Sequence, residues 1–107
     1  MNWPEPPPPQ TYILRLFVAG TTLRSQRAIS HIRELCDEHL SDRFDLEVID
    51  VYANPQATRE YQIVATPTLV KVLPEPLRRV IGDLSDRAKV MSMLSITAAG
   101  GSSEALA

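Results

Sequence analysis

The chain of 107 residues predicts a single α/β domain in which a mixed four-stranded sheet packs against three helices. Strand-like and helix-like spacing of the apolar residues alternates along residues 11–96 in the order βαβαββα. A helix separates the first two predicted strands, which favours parallel pairing through a right-handed crossover. A short turn separates the last two strands, which favours an antiparallel hairpin.

The first strand and the first helix account for residues 12–40. The segment Tyr12–Val18 is rich in β-forming residues and ends near Gly20, as a strand followed by a turn does. Thr21 or Thr22 can then cap a helix over about 22–40 by accepting a hydrogen bond from a free amide of the first turn. Apolar residues at helical spacing predict its inward face, which comprises Ala28, Ile29, Ile32, Leu35, Cys36 and Leu40.

The second strand, the second helix and the third strand follow in order. Residues 45–51 alternate polar and apolar side chains before becoming continuously apolar, which predicts a strand. Pro55 opens a short helix over about 55–62, because its missing amide N–H is harmless in a first turn. Residues 66–73 predict the third strand, in which Pro67 is tolerated only near the start.

The C-terminal elements are a strand and a helix. Pro74 and Pro76 predict a stiff turn before a short fourth strand at 78–81. Gly82 ends this strand, and either Asp83 or Ser85 is expected to cap the last helix. The spacing predicts the inward face of that helix, which comprises Leu84, Ala88, Met91 and Leu94.

Residues 1–10 and 97–107 are expected to be disordered tails around a domain of residues 11–96. Five prolines in the first tail favour extended polyproline II, either as a solvated segment or as a ligand for a proline-binding module. The second tail contains a Gly-Gly-Ser-Ser run and little that could pack.

Composition excludes several classes of function. A net charge of −2 gives no reason to expect nucleic acid or a membrane as partner. No apolar run approaches the ~20 residues of a membrane span, and the N-terminus lacks a secretory pattern, so a cytoplasmic location is expected. A single cysteine, Cys36, and two histidines, His31 and His39, lie on one predicted helix. They predict neither a disulfide nor a metal site, and no cofactor is expected.

The predicted architecture is that of thioredoxin-like proteins. The segment ATPT at 65–68 fits it, because the corresponding strand of that fold begins with a cis-proline. A redox enzyme of this fold carries its nucleophile at the start of the first helix, where the helix dipole lowers the pKa of a thiol. Residues 20–25 contain no cysteine, and Cys36 lies about 20 Å further along the helix. The chain is therefore predicted not to be an enzyme.

Two groups of basic residues are either solvated faces or partner-docking surfaces. One group recurs at helical spacing on the first helix and comprises Arg24, Arg27 and His31. The other surrounds the predicted hairpin and comprises Lys71, Arg78 and Arg79.

Five segments carry a more specific pattern: TYILRLFVAG at 11–20, VIDV at 48–51, NPQ at 54–56, ATPTL at 65–69 and RRVIGDLS at 78–85. Together they resemble the KaiB family of circadian-clock proteins, without gaps from about residue 11 to 90. The resemblance implies a metamorphic C-terminal half, because KaiB proteins adopt two folds that share the first half of the chain. One is a tetrameric ground form, and the other is a monomeric thioredoxin-like form that binds the N-terminal ATPase ring of KaiC.

The resemblance also implies partners and site residues. The expected partner is a KaiC-like ATPase, and the chain is expected to be a monomer or a homo-oligomer, dimer or tetramer. The expected partner-binding residues are Arg27, Asn54, Pro55, Gln56, Lys71, Arg78 and Arg79. The expected conformational residues are Tyr12, Pro67, Pro74, Pro76, Met93 and Ser95.

The chain departs from the clock pattern at two places. Met93 and Ser95 stand where clock members have a glycine and an aspartate. Both changes favour a helix, because glycine costs ~1 kcal/mol in a helix and an acid opposes the dipole at a C-terminus. Asp45 and Glu47 stand where clock members have a small residue and a lysine on the strand that faces KaiA. KaiA is therefore not expected as a partner, although Arg27 matches a basic position of that surface.

The predicted function is that of a regulatory binding protein. It would dock on a KaiC-like ATPase and modulate its phosphorylation state in a timing or stress-response system. The alternative is a thioredoxin-like peptide- or protein-binding adaptor, a sensor-like docking module without a clock role.

Overall fold

The computed structural model describes residues 11–41 and 43–94. Its elements follow the predicted order βαβαββα, and those before the last helix agree with the predicted bounds to within two residues. They are β1 (Tyr12–Val18), α1 (Leu23–His39), β2 (Phe44–Asp50), α2 (Pro55–Glu60), β3 (Thr68–Leu73), β4 (Arg78–Ile81) and α3 (Arg87–Leu94). The two predicted tails and the last residues of the predicted domain, 95 and 96, lie outside the described residues.

The four strands form one mixed sheet in the order β2-β1-β3-β4. Strand β1 pairs with β2 in parallel, and β3 pairs with both β1 and β4 in antiparallel fashion. This confirms the parallel crossover and the hairpin predicted from the connections. The peptide bond before Pro67 is cis, as are those before Pro74 and Pro76.

The larger core lies between the sheet and the helices α1 and α3. Because side chains alternate along a strand, Leu14 and Leu16 of β1 point to this side together with Leu69 of β3. Helix α1 contributes four fully buried side chains at helical spacing, namely Ala28, Ile32, Leu35 and Cys36. The predicted apolar face of α1 is therefore confirmed.

The smaller core lies on the opposite side of the sheet, beneath α2. It contains Phe17, Ile49 and Val70 as buried residues. The rings of Phe17 and Tyr61 meet with centroids 5.6 Å apart and a tilt of 55°. Helix α2 itself has only six residues and no buried one, so it covers only part of this face.

The start of α1 is fixed by a turn and a cap. Gly20 has a φ of 70°, in the left-handed region that glycine adopts without strain. Thr22 is the N-cap residue, because its side-chain oxygen accepts a hydrogen bond of 3.1 Å from the Ser25 amide.

The prediction for the last helix is partly wrong. Helix α3 begins at Arg87, and its cap is Asp86, whose carboxylate accepts a 3.1 Å hydrogen bond from the Lys89 amide. Asp83 instead accepts a hydrogen bond from the Ser85 amide within the preceding turn. Leu94 and, just before the helix, Leu84 are buried as predicted, and Met91 packs against the core. Ala88 is exposed instead, and Val90 and Met93 are the other buried residues of the helix.

Polar contacts join α1 to the α3 region. Arg87 forms ion pairs with Glu38 and, at 3.8 Å, with Glu34. His31 donates from Nδ1 to the Asp83 carbonyl oxygen over 2.7 Å. The C-terminal elements are thus held to α1 by charge as well as by apolar packing.

Candidate partner-binding site

The turn that carries the nucleophile in redox enzymes of this architecture has no thiol here. Residues 19–25 contain no cysteine. Ser25 is 2% exposed, and its hydroxyl accepts a 2.9 Å hydrogen bond from the Thr22 hydroxyl. The Thr22 and Ser25 hydroxyls are therefore used to form the helix start, which is a structural role.

Cys36 is buried in the larger core and has no solvent exposure. Burial raises the pKa of its thiol to about 12, and the neighbouring Asp37 contributes to the same direction. A thiol with this pKa is protonated at neutral pH and is a poor nucleophile. The predicted role of Cys36 as a packed core thiol is confirmed.

The exposed residues of α2 and its N-cap form a mostly polar surface. We call it the α2 surface, and it comprises Asn54, Pro55, Gln56, Arg59 and Glu60. These residues line a shallow groove of about 530 Å³. Three of the predicted partner-binding residues, Asn54, Pro55 and Gln56, lie here. Arg59 and Glu60 line the same groove but follow the NPQ segment and are not among the predicted residues.

Hydrogen bonds to the end of β2 hold the α2 surface in place. The Asn54 side chain donates to the Asp50 carbonyl oxygen over 3.1 Å. The Thr58 hydroxyl donates to the Asn54 carbonyl oxygen over 2.8 Å. Pro55 occupies the first turn, where no amide is required. The side chains of this surface therefore stand on a fixed backbone.

Arg79 lies on the same side of the sheet as α2. Its guanidinium donates to the Tyr61 carbonyl oxygen, just after α2, over 2.9 Å. Arg78 is next to it in sequence and points to the α1 and α3 side, together with the buried Val80. Arg27 is exposed on α1. The predicted partner-binding residues are thus divided between the two faces of the molecule.

Lys71 does not fit its predicted role as a contact residue. It is 1% exposed, because its position in β3 directs it to the larger core, opposite Leu14 and Arg78. Burial lowers the pKa of its ammonium group, and the charge of Arg78 lowers it further. A docked partner cannot reach this side chain in the thioredoxin-like conformation.

An ion-pair cluster lies on the α2 side of β1 and β2. Arg15 contacts the Glu47 carboxylate at 3.0 Å and the Asp45 carboxylate at 4.0 Å. The register places Arg15 directly opposite Glu47. The departure from the clock pattern pointed to the two acids but not to Arg15. Residues two apart on a strand share a face of the sheet, and this spacing on the paired strands is the signal that could have identified Arg15.

The predicted conformational residues lie mostly inside the domain. Tyr12 and Met93 are 8% and 7% exposed, and Pro67 is buried immediately before β3. Pro74 and Pro76 form the turn between β3 and β4. Ser95 lies outside the described residues.

Within residues 11–41 and 43–94, no cluster of three or more histidine, cysteine or acidic side chains could hold a metal ion. No helix of the same residues is long and apolar enough to cross a membrane.

Comparison with known proteins identifies the family. The KaiB domain model matches residues 15–96. The chain belongs to the KaiB family. A circadian clock oscillator protein KaiB from Prochlorococcus marinus is 51% identical over 89 residues, which are 83% of this chain and 76% of that relative. The circadian clock protein KaiB3 of Synechocystis sp. PCC 6803 is 47% identical over 88 residues, which are 82% of this chain and 86% of that relative.

Solved structures confirm the thioredoxin-like fold of this KaiB-family chain. The N-terminal domain of Synechococcus elongatus SasA superposes with a TM-score of 0.69 and 27% identity, over 89% of this chain and 93% of that domain. A Fasciola hepatica thioredoxin superposes with a TM-score of 0.65 and 20% identity, over 79% of each chain. The likeness to thioredoxin concerns the fold alone.

Proposed function

We propose that this KaiB-family chain is a non-catalytic regulatory protein of a timing or stress-response system. It docks on a KaiC-like ATPase and modulates the phosphorylation state of that ATPase. The main support for the proposal is the match of residues 15–96 to the KaiB domain. Further support comes from relatives that are described as circadian clock proteins and share about half of their aligned residues with this chain. A redox turn without cysteine and a buried thiol are consistent with a role in binding.

The α2 surface is the proposed docking site, with Arg79 beside it. Its side chains are exposed, and its backbone is held by the Asn54 and Thr58 hydrogen bonds. Such preorganisation reduces the entropy that binding costs. The other predicted and exposed basic residues, Arg27 and Arg78, point away from this face and are expected to contribute less.

Calorimetric titration with the N-terminal ATPase domain of the KaiC homologue from the same cell tests the docking. The wild type should bind, and Arg59→Glu should weaken binding about tenfold or more, as expected for a central interface residue. Arg33→Glu makes the same charge change on the exposed side of α1 and should bind as the wild type does. Absence of wild-type binding at micromolar concentration would contradict the proposal.

KaiA is proposed not to join the complex. Asp45 and Glu47 give an acidic edge to β2, and their ion pairs with Arg15 fix that charge in place. Asp45→Ala combined with Glu47→Lys should restore capture of a KaiA protein by the KaiC-bound chain in size-exclusion chromatography. Capture by the wild-type chain would contradict this part of the proposal.

We further propose that the thioredoxin-like form predominates in the free chain. Met93 is buried in α3, so Met93→Gly removes both a core side chain and a good helix former. Backbone chemical shifts should show α3 in the wild type and its loss in Met93→Gly. A helix that persists unchanged in this variant would contradict the role given to Met93.

The likeness to the SasA N-terminal domain supports a clock role. The alternative function is a sensor-like docking module without that role. A pull-down from the native cell distinguishes the two functions. Recovery of a KaiC-like ATPase supports the first, and recovery of other proteins with no ATPase supports the second.

A further inference from the structure

Strand β4 forms one edge of the sheet and leaves backbone groups available. The Gly82 amide donates to the Pro67 carbonyl oxygen of the neighbouring segment over 2.9 Å. The direction of the backbone amide and carbonyl groups alternates along a strand. The backbone groups of Arg78 and Val80 therefore also face β3, and those of Arg79 and Ile81 face outward. Within residues 11–41 and 43–94, no backbone group bonds to these outward groups.

The side chains of this edge carry positive charge on both faces. Arg78 is exposed on the α1 and α3 side, and Arg79 is exposed on the α2 side. Lys71 lies opposite Arg78 in the register and is 1% exposed. Two like charges opposed across strands are unfavourable unless an anion compensates them. No carboxylate of the described residues forms an ion pair with Lys71, Arg78 or Arg79 within 4.0 Å.

Large apolar side chains flank the two arginines. Leu77 precedes them and is 42% exposed, and Ile81 follows them and is 51% exposed. The opposite edge of the sheet differs, because Asp45 and Glu47 of β2 would repel an acidic strand. Charge therefore selects the edge at which an acidic strand can add.

We propose that the β4 edge, residues 77–81, binds an extended acidic segment of a partner protein as an additional strand. The outward backbone groups of Arg79 and Ile81 would pair with the segment. Two consecutive carboxylates of the segment would point to opposite faces, one toward Arg78 and one toward Arg79. This site adjoins the α2 surface at Arg79, but the peptide test below needs no KaiC-like ATPase.

The probe is a fluorescein-labelled, capped peptide of sequence TVDEVTVT, with TVKKVTVT as the matched control. Anisotropy at low salt should show binding of the acidic peptide only, and added salt should weaken it because the charges are exposed. Arg78→Glu combined with Arg79→Glu should weaken binding about tenfold, as two reversed surface pairs allow. Arg24→Glu combined with Arg33→Glu, both exposed on α1, is the matched double control and should bind as the wild type does.

Strand addition has a signature of its own. The amide signals of Arg79 and Ile81 should shift on binding, while that of Val80, which bonds within the sheet, should shift less. Ile81→Pro removes an outward amide without removing a bond to β3, and it should weaken peptide binding while the remaining spectrum stays native.

Three results would overturn the proposal. The first is no binding, which would leave the arginines as charges that protect a sheet edge from aggregation. The second is equal binding of the lysine peptide. The third is tighter peptide binding after Glu104→Gln alone, which would show that Glu104 of this chain, rather than a partner, supplies the carboxylate at the edge.

Discussion

The two faces of the sheet bury very different amounts of apolar surface. On one face, α1 and α3 cover a large core whose central side chains have no solvent exposure. On the other face, the six-residue helix α2 covers Phe17, Ile49 and Val70 and buries no residue of its own. Burial of an apolar side chain contributes about 1.5–3 kcal/mol, so the first face supplies most of the stability. The second face is left free to present polar side chains to a partner.

The largest expected effect is a loss of packing on the first face. Leu35→Ala should lower the free energy of unfolding by about 2–5 kcal/mol, because Leu35 is 1% exposed and its removal leaves a cavity. Leu23→Ala is the control on the same helix, and it should cost less than about 0.5 kcal/mol because Leu23 is 63% exposed. Urea unfolding measures the free energy of unfolding of both variants. Equal losses would contradict the stabilising effect that burial of Leu35 is expected to have.

The thiol in the same core gives a dependence of stability on pH. The pKa of Cys36 is raised from 9.0 to about 12 in the folded chain, so the folded state keeps a proton that the unfolded state releases. The stabilisation is fully present below pH 9 and is lost as pH rises toward 12, at about 1.4 kcal/mol per pH unit. Cys36→Ala should remove this component of the slope in unfolding measurements from about pH 8 to about pH 10. An identical slope in the variant would contradict the burial of the thiol.

The smaller core should be less sensitive. Tyr61→Leu removes the ring contact with Phe17, and such contacts contribute about 0.5–1.5 kcal/mol beyond area. Tyr52→Leu is the matched control, because Tyr52 is 78% exposed. If Tyr61→Leu destabilised the chain as much as Leu35→Ala does, the two faces would contribute equally to stability.

The smallest effect is expected at the surface ion pair. Glu47→Gln breaks the 3.0 Å contact with Arg15 and should cost at most about 1 kcal/mol, since Glu47 is half exposed. Asp45→Asn should cost less, because its contact with Arg15 is 4.0 Å. The difference between the two variants should disappear in about 1 M salt, where such pairs are screened.

The sequence predicted what depends on local pattern. The apolar spacing of Ala28, Ile32 and Leu35 identified the inward face of α1, and the connections between strands identified parallel and antiparallel pairing. The last helix was harder, because Asp83, Ser85 and Asp86 are all good capping residues. The geometry of the turn before the helix, where Leu84 has a φ of 64°, determines which of these three residues caps the helix.

Side-chain environment across the sheet was not predictable in the same way. Lys71 stands in a strand that is buried on both sides, whereas the sequence only groups it with Arg78 and Arg79 around the hairpin. The pairing of Arg15 with Glu47 and of Arg87 with Glu38 joins residues distant in sequence. Such contacts follow from register and helix packing, which a single sequence does not specify.

The position of β1 has a consequence for synthesis of the chain. The ribosome makes this strand before the other three, yet in the sheet it lies between β2 and β3. Until β3 has emerged, the backbone of the apolar strand β1 has no partner on one edge, although β2 is already available on the other edge. Unpaired apolar edges attract other chains and chaperones. A nascent chain halted after β2 should therefore be held by chaperones, and one that extends past β3 should be released.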